Sequence, residues 1–181
     1  MWKRLLIPFA DAVVPGYVNN QFSLDEYKGY LRIATTDNRP NSNNVFALDF
    51  FLKKRGELRG IAPGERIFSA RYIGSRLYLV TFRLIDPFYA ISFEDHTNPV
   101  ILGELKISGF SRYLHPYDDE TVIGFGRQAT TNGIQLGLKV SLFNVKDVSN
   151  PIEIASFQLS DRNAQSLAEW EHKAFLFSRE K

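Results

Sequence analysis

The chain repeats itself, and the repeat restricts its fold more than any other feature. Gly56-Glu57-Leu58-Arg59 returns as Gly103-Glu104-Leu105-Lys106, and Asp95-His96-Thr97-Asn98-Pro99 returns as Asp147-Val148-Ser149-Asn150-Pro151. Phe68-Ser69-Ala70-Arg71-Tyr72 returns one residue shorter as Phe110-Ser111-Arg112-Tyr113, and residues 77–83 line up with 121–127. Between these markers run apolar stretches too short for helices, such as 77–82, 88–91, 121–125 and 138–143. Asn-Arg-Pro, Asp-Pro, Thr-Asn-Pro and Thr-Asn-Gly breakers separate them. With 15 Phe and 8 Tyr against a single Met, the composition also favours strands. Only residues 164–171 read as helical, with Asp161 or Asn163 as the cap.

Each repeat holds four strands, A to D. The second unit places them near 67–73, 77–82, 88–93 and 100–106, and the third near 110–114, 121–126, 138–145 and 152–158. The first is less regular, with B at 30–35, C at 45–50, D at 57–61 and A within 17–24. Four antiparallel strands in every ~40–50 residues is the pattern of propeller blades. The expected fold is therefore all-β, a partial β-propeller of about three and a half four-stranded blades. Blades are expected at 17–61, 67–106 and 110–158, with the start of a fourth at 165–181. Together they make a domain over 14–181, preceded by a divergent arm over 1–13. A closed ring needs about four to eight blades, so the chain is expected to be a segment of a larger ring. Its expected partners are missing blades of the same protein or another copy of itself.

The Asp-x-x-Asn-Pro element has a local mechanism. A carboxylate at Asp95 or Asp147 can accept the backbone N–H two residues on and close an Asx turn. Pro99 and Pro151 then keep Asn98 and Asn150 extended and start strand D. These residues are read as turn-makers and not as calcium ligands, which would need several carboxylates at alternating positions.

Composition excludes several functions. With no cysteine, a disulfide scaffold, a thiolate metal site and a Cys nucleophile are ruled out. A net charge of +2 and basic residues without interleaved aromatics, as in Lys53-Lys54-Arg55 with Arg59, give no support to a nucleic-acid partner. No apolar stretch approaches the ~20 residues that span a bilayer. The start has Lys3 and Arg4 before an apolar run, but Pro8 and Asp11 interrupt it, and no export signal is apparent. Gly-x-Gly-x-x-Gly, P-loop, Gly-x-Ser-x-Gly and His-Glu-x-x-His patterns are all missing, so no cofactor and no catalytic or metal-binding residue is assigned. The histidines, His96, His115 and His172, fall one to a unit and are read as turn and packing residues.

Two groups remain as candidate binding residues. In the alignment of 77–83 with 121–127, Arg83 and Arg127 end their B strands in the same register, at one rim of the propeller. Arg39, in the loop after the first B strand, is expected at that rim too. A crescent of guanidinium groups suits carboxylates, phosphates or an anionic glycan through forked hydrogen bonds. The alternative is one structural ion pair per blade, for instance Arg83 with Asp86. The second group is His115, Tyr117 and Asp118 in His115-Pro116-Tyr117-Asp118-Asp119-Glu120, which reads either as a charged A–B hairpin loop or as a ligand site.

The chain also resembles a known family: secreted bacterial and archaeal proteins with a C-terminal β-propeller domain distantly related to WD repeats. The matching residues run through 14–27, 30–36, 62–67, 78–87, 109–118 and 172–177. They include Val14-Pro15-Gly16-Tyr17-Val18-Asn19-Asn20, Ala62-Pro63-Gly64-Glu65-Arg66 and Gly109-Phe110-Ser111-Arg112-Tyr113-Leu114-His115-Pro116-Tyr117-Asp118. The resemblance implies a propeller and an extracellular or cell-envelope home, and brings no catalytic residues. The expected role is a non-catalytic binding or scaffold segment of a larger extracytoplasmic protein, with a protein or anionic glycan as ligand. The alternative is part of a propeller enzyme, hydrolytic or metal-assisted, with its site at the rim or channel.

Overall fold

In strand β6 (Arg76–Phe82) every side chain from 77 to 80 is buried. Leu77 and Leu79 point one way and Tyr78 and Val80 the other, and both sides meet another sheet. Such a strand belongs to the middle layer of a stack. The computed structural model describes residues 9–39, 41–82, 86–130 and 132–178, with the backbone alone at Asp86. It contains three four-stranded antiparallel sheets, each with its strands in chain order. Blade one is β1 (Leu24–Tyr27), β2 (Tyr30–Asn38), β3 (Asn41–Leu48) and β4 (Lys54–Ile61). Blade two is β5 (Arg66–Ile73), β6, β7 (Asp86–Ser92) and β8 (Val100–Ile107). Blade three is β9 (Phe110–Pro116), β10 (Thr121–Ala129), β11 (Gln135–Asn144) and β12 (Ile152–Gln158). The fold is a partial all-β propeller.

Two apolar layers join the blades. Ala34, Val45, Ala47 and Ile61 of blade one pack on Ile67, Ala70, Leu77, Leu79 and Ile91 of blade two. Phe68, Tyr78, Val80, Phe88 and Ala90 of blade two pack on Phe110, Leu114, Val122, Phe143 and Val145 of blade three. Because each face meets an apolar neighbour, the strands carry no polar side to alternate with, which explains the continuous apolar runs in the sequence.

The two repeated motifs are the halves of one contact. A Cβ on Gly56 of β4 would run into the carbonyl oxygen of His96 and lie 2.7 Å from the Thr97 carbonyl carbon. A Cβ on Gly103 of β8 would likewise run into the Val148 oxygen and lie 2.8 Å from the Ser149 carbonyl carbon. In each case the outer strand of one blade receives the backbone of the next blade's C–D turn. That turn is rigid. Asp95 Oδ1 accepts the Thr97 N–H at 2.8 Å and its hydroxyl at 2.6 Å. Asp147 Oδ1 accepts the Ser149 N–H at 3.0 Å and its hydroxyl at 2.6 Å. The Thr97 and Ser149 side-chain hydrogen bonds are the main reason both carboxyls lie below the ordinary aspartate range.

Neither half continues past the ends of the stack. Gly103 pairs with Ala90, and the position matching it in β12 is Ala155, which pairs with Leu142. In blade one the C–D turn has no Asn-Pro; Asp49 Oδ1 instead accepts the Phe51 and Lys53 N–H groups at 2.9 Å, around a Leu52 with φ of 56°.

Two local expectations change. The innermost strand of blade one is Leu24–Tyr27, while Gln21–Ser23 forms a 3-10 turn capped by Asn20 and Tyr17 bridges Thr36. The helical reading of 164–171 reduces to a 3-10 turn at Leu167–Glu169 capped by Ser166, followed by another at His172–Ala174. Beyond Gln158 the described residues form no strand. No helix among them is long and apolar enough to cross a membrane.

His96 fills the seam between blades one and two, its ring stacked 4.2 Å from Tyr30 at 15°. Burial, then the nearby Arg32 and Lys28 charges, hold its imidazole below 6.5. An unfolded chain takes up this proton at higher pH than the folded one, so stability falls as pH drops below 6.5. Thermal melts across that range should show the loss, and His96→Phe should reduce it, leaving the part that comes from His115. Gly56→Ala and Gly103→Ala should each lower the urea midpoint through overpacking that costs about 1–3 kcal/mol or more of stability. Ala155→Gly should leave the midpoint unchanged, apart from strand entropy of about 1 kcal/mol or less.

Candidate functional site

Arg127 does not lie free at a rim. Leu77 pairs with Ile91 and Val122 pairs with Phe143, and all four face the preceding blade or pack at its seam. Val122 is therefore the structural counterpart of Leu77, which puts Arg127 in register with Phe82. Over the described residues the expected alignment of Leu77 with Thr121 is out by one, and in a strand one residue reverses the face. Arg83 itself lies outside the described residues.

The turned-over Arg127 reaches the face of blade three that points away from blade two. There its guanidinium forks onto Glu169, Nε to Oε1 at 2.7 Å and Nη2 to Oε2 at 2.8 Å. It also donates to the carbonyl oxygens of Ala164 at 2.9 Å and Leu136 at 3.3 Å. The Glu169 side chain is 0% exposed and that of Arg127 11%. The hydrogen bonds to Glu169 push the Arg127 pKa up. This is an ion pair of the protein's own, and it ties residues 164–169 to blade three. Arg39 stands exposed in the β2–β3 turn, where Asp37 Oδ1 accepts its backbone N–H at 2.9 Å. Among the described residues no contact joins Arg39 to Arg127.

The second candidate group is partly covered by the chain itself. His115 belongs to β9 and not to a loop, and its ring lies 5.2 Å from Phe175 and 5.9 Å from Phe177. Tyr117 lies 5.4 Å from Phe177. Burial, then the Arg71 charge, holds the His115 imidazole below 6.5. Asp118 Oδ1 accepts the Glu120 N–H at 2.9 Å and shapes the hairpin. The imidazole and phenol thus act as ring surfaces that seat Phe175 and Phe177. Among the described residues no group of three or more His, Asp or Glu side chains is placed to hold a metal ion.

The polar centre that sequence reasoning missed lies on the inner strands. Arg71 Nε donates to the Leu114 oxygen at 2.7 Å, and its guanidinium sits 3.9 Å from the Phe22 ring and 5.1 Å from that of Tyr113. Phe22 in turn meets His172 at 5.0 Å, with the Gln21 amide 2.8 Å from His172 Nδ1. The segment before β1 and the segment after β12 therefore meet beside the innermost strands. Arg112 lies close by, 3.6 Å from Glu169. Both arginines stand in the repeated Phe-Ser-(Ala)-Arg-Tyr motif, which was the available signal.

Replacing Arg127 by Met or Glu169 by Gln should free residues 164–178 from blade three. Charged hydrogen bonds of this kind contribute about 1.5–3 kcal/mol. Trp170 emission should shift to the red and the segment should become protease-sensitive. Unchanged emission and stability would mean that Arg127 is available to a ligand.

Comparison with known proteins agrees with the architecture. The model of the beta propeller domain family matches residues 6–181. An uncharacterized protein of Methanocaldococcus jannaschii is 42% identical over 152 residues, covering 81% of this chain and 24% of the relative. An uncharacterized protein of Archaeoglobus fulgidus is 42% identical over 163 residues, covering 90% of this chain and 25% of the relative. The chain thus spans about a quarter of the length of these curated relatives. No solved structure matches it. Three stacked four-stranded blades and a family match over nearly the whole chain lead to one assignment: the chain belongs to the beta propeller domain family.

Proposed function

We propose that the chain is a non-catalytic binding and scaffold segment of a longer extracytoplasmic protein, and that its working surface is the outward face of blade three. One observation carries this reading. On that face Ile123, Val140, Leu142, Ala155 and Phe157 line an apolar groove of about 430 Å³, closed on one side by Phe175, Leu176 and Phe177. Phe157 is 65% exposed and Leu176 91%. The corresponding faces of blades one and two are buried against the next blade. An apolar blade face of this kind suits another blade, because burial of its side chains drives docking at roughly 25 cal/mol per Å². Relatives about four times as long have chain enough to supply one. The extracytoplasmic setting rests on the family resemblance.

In isolation a second copy is the available substitute. The chain is expected to self-associate with rising concentration in light scattering, and Phe157→Asp is expected to render it monomeric without lowering its melting temperature. A wild-type chain that stays monomeric at all concentrations, with a sharp thermal transition, would overturn the docking role.

A further inference from the structure

We propose that a cavity beside the innermost strands, walled by Arg66 of β5 and Arg112 of β9, is a binding site for an oxyanion, the carboxylate or phosphate group of a small ligand. The cavity measures about 220 Å³ and is completed by Tyr17, Asn19, Ile67 and Phe68. That volume holds an acidic group and the few atoms next to it. The site is separate from the outward face of blade three and does not depend on docking there.

The charges around the cavity do not balance. Arg127 occupies both oxygens of Glu169, at 2.7 and 2.8 Å. Arg112 Nε reaches Oε1 only at 3.6 Å, makes no hydrogen bond and is buried. Arg66 is exposed and makes no ion pair among the described residues. Glu65, its neighbour in sequence, turns its carboxylate to the Thr81 hydroxyl at 2.5 Å. Two guanidinium groups, Arg112 and Arg127, therefore share the one carboxylate of Glu169, and Arg66 beside them has no carboxylate partner among the described residues. Burial is the main cause that lowers the Arg112 pKa; Glu169 opposes it, and the like charges of Arg127 and Arg66 add to it.

The guanidinium groups of Arg66 and Arg112 are also held in place. Arg66 lies 4.8 Å and Arg112 5.5 Å from the Phe68 ring, and Arg112 is further flanked by Phe110 at 5.2 Å and Trp170 at 4.8 Å. Packing on rings leaves the planar N–H edges of a guanidinium to bind oxygen atoms, and an oxyanion accepts two of them side by side. Asn19 uses one amide hydrogen on the Phe68 carbonyl at 2.9 Å, so its second remains as a donor. Tyr17 completes the same wall. An anion bound here would relieve the repulsion between Arg66 and Arg112 and stabilise the fold by mass action.

Trp170, against Arg112, serves as the probe. In a Trp2→Phe background, inorganic phosphate and citrate are titrated separately at ionic strength held constant with chloride. A saturable change in Trp170 emission and a rise in melting temperature are expected with at least one of them. A response to phosphate alone identifies a phosphate group as the ligand chemistry, and a response to citrate alone a carboxylate. Arg66→Gln and Arg112→Gln should each weaken binding about tenfold, the value of one charged hydrogen bond, while Arg39→Gln should leave it unchanged. If Arg112→Gln loosens the fold, Arg66→Gln, exposed at the start of its strand, decides alone. Absence of a saturable response to both anions, or an affinity that Arg66→Gln leaves intact, would overturn the proposal. Phe157→Asp, which removes the docking face, should not alter anion binding, so the two readings fail independently.

Discussion

The missing side chain at Gly56 and Gly103 is the constraint on which the stack depends. Each blade meets the next along an apolar layer, which is non-directional and would tolerate many offsets. The outer edge removes that freedom. A C–D turn stiffened by its own aspartate presses its backbone onto a glycine where any Cβ would collide, and the layer can then close at only one distance. Rigid turn and bare strand act together: a floppy turn would not fix the offset, and a side chain on the strand would hold the turn away. Hydrophobic burial supplies most of the attraction here, and backbone against backbone supplies the geometry.

The inner edge works differently. There the blades are joined by polar and aromatic contacts that follow no repeat. Ser69 donates to the Ser111 oxygen at 2.8 Å, and Arg71 to the Leu114 oxygen at 2.7 Å. Between blades one and two Arg32 is fully buried, paired with both oxygens of Asp25 and surrounded by the rings of Tyr27, Tyr72 and Phe93. A buried cation of this kind adds little net attraction once its dehydration is counted, but it leaves few alternative arrangements of the seam. Short, individually different inner contacts leave room for variation at the axis while the outer edge keeps the spacing.

What the sequence revealed follows the same division. The turn motif and the glycine motif could be read because each has a local cause, an Asx turn in one case and a close approach in the other. That they belong to one contact could not be read, since the partners lie on different blades. The register of β10 misled for a physical reason. Residues 121–127 are apolar at nearly every position, because one face packs on blade two and the other lines the apolar groove, and Gly124 and Gly126 let the stretch match 77–83 in either of two registers. Only the pairing of Val122 with Phe143 distinguishes them, and that one residue moves Arg127 from an imagined rim to Glu169. His115 and Tyr117 looked chemical because they stand among carboxylates in the chain, whereas in space their neighbours are Phe175 and Phe177.

Ala155 gives the stack a mechanical asymmetry. The methyl group it places where Gly56 and Gly103 have none stands on the open face, and a turn like those at Asp95 and Asp147, pressed onto it, would meet a Cβ that the two inner seams lack. A ring assembled around this segment would then be divided into unequal angular steps, with a wider joint beside β12. Under load or mild denaturant the widest joint is the first to part, so the difference between alanine and glycine at one outer-strand position would decide where such a ring opens.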